Sequence, residues 1–337
     1  MIKLASKLFL TVFGFLFALN AAATTIIIVN NDGQNEGFNS TSAVTPVAGN
    51  SATTLGAQYF NVFQAAAEFW ETKLDSDVPI RVQAQINPLI CNATGAQLGG
   101  AGPLNAFLGE GPNQDVVFTV AQANSLSGED LDPTRNDVDA VFNGLLDGRT
   151  SCLGGVRWWL GIDSPAIPGT VSLYDTVLHE IGHGIGFLTF VNSSGQRLSN
   201  GIRSFNDTYM LNLFDSDQNR AWANMTNAQR ASSSINTGGL VWSGSSVASG
   251  AEVFTGGRRN GLLRVYAPNP FEQGSSVSHW DTSLSPDELM EPFATFTSNA
   301  CATILALNDM GWRTKNECID GNVRPIFAPI IPLLLDP

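Results

Sequence analysis

Leu178 to Phe187 reads L-H-E-I-G-H-G-I-G-F, and no other stretch restricts the fold of this chain so strongly. His179 and His183 are four residues apart. On a helix that spacing sends both imidazoles off one face, about one turn apart. Each can then reach a single zinc ion at about 2.0–2.1 Å. Glu180 projects beside them, placed to act as a base toward water activated there rather than as a ligand. The chain contains only three histidines, so two of them flanking a glutamate at this spacing is a poor match for chance. Gly182, Gly184 and Gly186 would each cost a purely structural helix roughly 1 kcal/mol against alanine. Something there needs close backbone approach or a sharp exit.

A catalytic zinc site takes three protein ligands and keeps one open position. The remaining histidine, His279, sits in S-H-W-D-T-S-L-S-P-D-E-L-M-E-P-F, Ser278 to Phe293. An isolated histidine is more often structural than a ligand, but here every histidine falls in one of two motif-like segments. A carboxylate third ligand is the rival, from Glu252, Glu272, Glu288 or Glu291, although none of these lies in a convincing helical pattern. An acceptor orienting each imidazole is also expected, and Asp281 is the nearest guess.

The pattern H-E-x-x-H-x-x-G-F, a long insertion, then H-W and a later D-E-L-M-x-P resembles the leishmanolysin-type branch of the metzincin metallopeptidases. In most metzincins the third histidine lies three residues beyond the glycine, which here is Thr189. Leishmanolysin-like enzymes supply it after a large insertion, and 95 residues separate His183 from His279. The resemblance implies that Gly186 ends the zinc helix at a turn, that His279 is the distal ligand, and that Met290 lies beneath the metal. It covers about 25 residues closely and the rest only in topology. T-T-L-G-A-Q-Y-F-N-V-F-Q-A-A-A-E-F-W in the N-terminal half is also similar to secreted bacterial enzymes of this type. No tyrosine closely follows Met290, and no cysteine-switch-like segment is seen.

The 337 residues are enough for one large domain or two modest ones. A net charge of -13 and the lack of any Lys/Arg stripe argue against nucleic-acid binding. Lys3 and Lys7, the apolar run Leu8–Leu19 and Ala21-Ala22-Ala23 read as a secretory signal over residues 1–23, too short for a comfortable membrane anchor. Export, to the extracellular space or a periplasm, makes disulfides the natural fate of Cys91, Cys152, Cys301 and Cys318. Three pairings are possible, and sequence order suggests Cys91–Cys152 with Cys301–Cys318. Asp130–Asp139 and Asp215–Asp217 have carboxylate spacing suited to calcium, but no complete EF-type loop is present and a solvated loop fits them as well.

Along the chain, Thr25–Asn30, Val78–Ile86, Asp115–Ala121, Val138–Phe142 and Val156–Ile162 read as strands. Thr54–Leu74, Tyr174–Gly186 and Asn299–Trp312 read as helices. That order predicts an α+β fold, a mixed sheet with helices on one face, with irregular structure from Phe190 to Gln273. The expected organisation is an N-terminal catalytic subdomain over 24–190, a C-terminal subdomain over 191–318 carrying the distal ligand and the methionine turn, and a Pro-rich tail over 319–337. The expected activity is zinc-dependent endopeptidase hydrolysis of protein or peptide substrates. The alternative is an inactive secreted binding or adhesion protein on a metallopeptidase fold.

Overall fold

The computed structural model describes residues 24–109, 113–294 and 297–315. The expected signal segment, the Pro-rich tail and Cys318 lie outside them. The order from the N-terminus is β1 (Ile26–Asn30), α1 (Leu55–Lys73), β2 (Ile80–Asn87), β3 (Gly99–Pro103), β4 (Ala106–Leu108), β5 (Val116–Thr119), α2 (Val120–Ser127), β6 (Val138–Asn143), β7 (Arg157–Trp159), β8 (Thr170–Ser172) and α3 (Leu173–Gly184). Short pieces follow: β9 (Asn206–Asp207), β10 (Leu213–Asp215), β11 (Arg220–Ala221), α4 (Asn227–Ser233), β12 (Leu240–Trp242), α5 (Ser245–Gly250), β13 (Arg258–Arg259) and β14 (Leu262–Leu263). The last is α6 (Cys301–Asp309). The fold is α+β, with mixed sheets and six helices among the described residues.

The main sheet has the order β1-β2-β6-β3, the first three strands parallel and β3 antiparallel at the edge. Ile80, Val82, Ala84 and Ile86 alternate with Arg81, Gln83 and Gln85 along β2, and only the apolar set is buried. One face is therefore covered. The cover is α1 and α3, which pack on each other and on this sheet. Thr54 caps α1 by accepting from Ala57 N. Tyr59, Val62, Phe63, Ala66, Ala67 and Trp70 form its buried stripe, and Trp70 donates from Nε1 to Leu178 O at 3.0 Å, tying α1 to α3.

Several elements differ from the sequence expectation. The strand expected over Asp115–Ala121 ends at Thr119, and Val120 opens a helix instead. β3, G-G-A-G-P, carries almost no side-chain pattern and is a strand because β6 pairs with it, Gly99 opposite Phe142 through Pro103 opposite Val138. Val156–Ile162 shrinks to β7, and the region from Phe190 to Gln273 is a chain of short elements, as expected. Cys91 and Cys152 form a disulfide with Cα atoms 5.2 Å apart. No cysteine among the described residues is free, while the expected Cys301–Cys318 partner lies outside them. Among the described residues no helix is long and apolar enough to cross a membrane.

The glycines of α3 have the packing reasons that the sequence demanded. A Cβ on Gly184 would sit 2.3 Å from Cγ1 of Val138, so the backbone of α3 lies directly on the Val138 side chain of β6. A Cβ on Gly182 would sit 2.7 Å from Sδ of Met290. Gly186 has φ +123 and turns the chain away from the helix. Gly184→Ala should therefore lower the unfolding free energy by about 1–3 kcal/mol through overpacking, despite alanine's better helix propensity. Adding Val138→Ala should relieve the clash, so that the double variant loses less than the sum of the singles. Chemical denaturation of the four proteins measures this, and strict additivity would mean that this contact does not set the helix position.

Candidate metal centre

Ser172 starts α3 by accepting from Asp175 N at 3.1 Å, and Asp175 in the first turn suits the positive end of the helix. One turn from the far end, His179 and His183 leave the same face. Both are buried, as are Glu180 and His279. Gly99 of the edge strand lies beside Glu180, since a Cβ there would meet Glu180 Cγ and Oε1 at 3.2 Å. A larger residue on β3 would push on that carboxylate.

His279 arrives from 96 residues downstream on a ladder built in the C-terminal half. Val265 pairs with Trp280, and Tyr266 N donates to His279 O at 2.9 Å. Trp280 N donates to Met290 O at 2.9 Å. The Trp280 ring packs with Phe187 and Trp242, both of which also meet Tyr209, so four aromatic residues clamp the helix exit to this ladder. Thr189, where a short-spaced family member would place its ligand, donates instead to Asp207 Oδ2 at 2.8 Å, and its N–H donates to Ser278 Oγ at 3.2 Å. It holds the residue next to His279 rather than a metal.

The three Nε2 atoms converge: His179 to His183 3.0 Å, His183 to His279 3.1 Å, His179 to His279 3.2 Å. Each Nδ1 is 2.8 Å from a backbone carbonyl, Leu289 O for His179, Phe187 O for His183 and Ser275 O for His279. A carbonyl can only accept, so the proton of every neutral ring is assigned to Nδ1. All three Nε2 lone pairs then face one another with no hydrogen between them, an arrangement that repels unless a cation sits among them. Tetrahedral zinc with bonds of about 2.0–2.1 Å wants nitrogens about 3.3–3.4 Å apart, close to the triangle seen. Burial, reinforced for His179 and His279 by the neighbouring rings, holds their pKa well below the ordinary imidazole value; burial takes His183 down to about 4. Neutral imidazole is the ligand form. These three histidines could hold a metal ion, and among the described residues no other group of three His, Cys, Asp or Glu side chains could.

Asp281 is not the orienting acceptor. It accepts from the Ser283 N–H and hydroxyl, and backbone carbonyls hold all three rings. Those carbonyls carry no residue-type signature, which is why sequence reasoning missed them. The rival carboxylates are also placed elsewhere. Glu288 accepts from Thr303 N at 3.0 Å, Thr303 Oγ1 at 2.8 Å and Met290 N at 3.1 Å. Glu291 accepts from Glu288 N at 3.0 Å, and Glu272 accepts from Tyr266. Burial raises the carboxyl pKa of Glu288 to about 7 and that of Glu291 to about 9. Together they fix the turn whose Leu289 O holds His179 and whose Met290 lies against Gly182. Glu252 lies on a partly exposed turn outside the group. In the acidic loops, Asp132, Asp137, Asp139 and Asp215 accept from protein donors and Asp217 pairs with Arg259, and no three of their carboxylates converge among the described residues.

The chain matches no protein-family model, no curated protein and no solved structure. The ligand assignment is therefore tested on the protein itself. His279→Ala should lose most of its bound metal after dialysis against a weak chelator, because two protein bonds fall short of the three a catalytic zinc takes. Glu288→Gln and Glu291→Gln should retain it. Elemental analysis reads the result, and full occupancy in His279→Ala would remove this residue from the site.

Proposed function

We propose that this protein is a secreted zinc-dependent endopeptidase of the leishmanolysin-like metzincin type. The observation that carries the reading is the convergence of three buried Nε2 lone pairs beside Glu180, on a helix reading H-E-x-x-H. An all-nitrogen set of three suits zinc better than calcium or magnesium, which prefer oxygen. The long path from His183 to His279, the turn at Gly186 and Met290 packed under the helix agree with the resemblance to that branch. The Cys91–Cys152 disulfide suits an oxidising compartment.

Bound zinc would supply a Lewis acid for the scissile carbonyl and bring the pKa of a water near neutrality. Glu180 takes the proton from the attacking water and returns it to the leaving amine. The three carbonyl-held imidazoles keep their lone pairs aimed at one point, so the geometry exists before substrate arrives. Gly99 leaves room for the Glu180 carboxylate beside the edge strand β3.

Glu180→Gln keeps the side-chain volume and all three imidazoles. It should retain bound zinc while cleavage of an unstructured protein such as casein falls by at least about 100-fold, the scale of a lost general base. Near-normal hydrolysis by that variant would exclude Glu180 as the base. Zinc binding without any casein cleavage by the unaltered protein would favour the binding or adhesion reading instead.

A further inference from the structure

Arg264 lies opposite Asp281 on the ladder that carries His279: Asp281 N donates to Arg264 O at 3.1 Å. Cross-strand neighbours of opposite charge usually meet, yet these two form no ion pair. Among the described residues, the Arg264 guanidinium has no hydrogen-bond or ion-pair partner, and its Nε is buried without one. The Asp281 carboxylate uses only Oδ1, toward Ser283. Between them opens a cavity of about 390 Å³, lined by Arg259, Arg264, Tyr266, Asp281, Thr282 and Ser283 among others. Arg259 is already taken by Asp217 and by Gly238 O. Arg264 is therefore the arginine of this cavity with no protein acceptor, and its buried Nε–H without one costs about 1–3 kcal/mol.

Two residues of the cavity wall neighbour His279 on its ladder: Asp281 lies two residues along the chain, and Tyr266 N donates to His279 O. Trp280 turns into the aromatic cluster, so strand alternation puts His279 and Asp281 together on the opposite face, with Tyr266 and Arg264 across from them. A second cavity, over Arg81, Asp130 and Arg135, offers nothing similar. There Arg81 donates from Nε to Asn136 and Arg135 pairs with Asp132.

We propose that the cavity is a carboxylate-binding subsite, in which Arg264 holds a carboxylate of the peptide that the metal centre acts on. This rests on the peptidase reading. The planar guanidinium fork matches a carboxylate. Asp281 in the same wall would repel a dianion such as phosphate but tolerates a single negative charge held on the arginine side. The carboxylate is carried by an acidic side chain or by the chain terminus of the substrate.

The test uses zinc-loaded Glu180→Gln protein, which binds peptide without consuming it, and calorimetric titration with three peptides, the first two blocked at both ends. One carries an internal Asp, one has Asn in its place, and one has Asn and a free C-terminal carboxylate. One of the two carboxylate peptides should bind at least about tenfold tighter than the neutral one, the scale of a charge-assisted pair, and which one does identifies the source. Adding Arg264→Gln should abolish that preference, with metal content and melting temperature unchanged. Equal affinities for all three peptides, or no binding of any, would overturn the subsite, as would a preference that survives Arg264→Gln. The peptide comparison stands even if the Arg264 variant fails to fold. Casein cleavage by the unaltered protein is read separately, so a protein that digests casein without a carboxylate preference loses this inference alone. One that shows the preference without digesting casein loses the peptidase reading and keeps the carboxylate pocket.

Discussion

Three N–H···O=C hydrogen bonds govern this structure, one on each histidine. They fix every imidazole in the same tautomer and leave three lone pairs within 3.2 Å of one another. The lone pairs repel one another, and burial disfavours relieving them by protonation. A bound cation would make the arrangement favourable. Metal binding there would add to the stability of the fold around the site.

Much of the rest keeps those carbonyls in place. Leu289 O is presented by a turn that Glu288 organises through Thr303 of α6 and the Met290 amide. Phe187 O sits just past Gly186, whose φ of +123 lets the chain leave α3 at once. Ser275 O precedes His279 by four residues and is held through Ser276, which accepts from Glu272 N. Gly182 and Gly184 let α3 sink onto Met290 and β6. A shift of either packing contact would move two ligands together, because both ride on one rigid turn of helix.

The parts legible in the sequence are those with a periodic side-chain signal. The stripe of α1, the alternation of β2 and the four-residue spacing of His179 and His183 each follow from one element's geometry. Sequence order also gives the Cys91–Cys152 pairing that the structure contains. β3 was invisible because G-G-A-G-P has no side chains to alternate, and its strand state comes wholly from pairing with β6. The boundary at Val120 was lost because V-V-F-T-V-A reads as one apolar run across a strand and a helix. Asp281 was chosen as the orienting group because it is charged and near His279, yet the acceptors are main-chain carbonyls that no residue type announces. The uncompensated Arg264 could be found only once the fold had placed it beside a cavity.

The central claim is that three imidazoles, and no other protein groups, hold a catalytic zinc. X-ray absorption at the zinc edge of the metal-loaded protein tests it most directly. The account predicts about three imidazole nitrogens and one further light atom at about 2.0–2.1 Å. A sulfur shell at about 2.3 Å, or a spectrum that fits only two imidazoles, would contradict it.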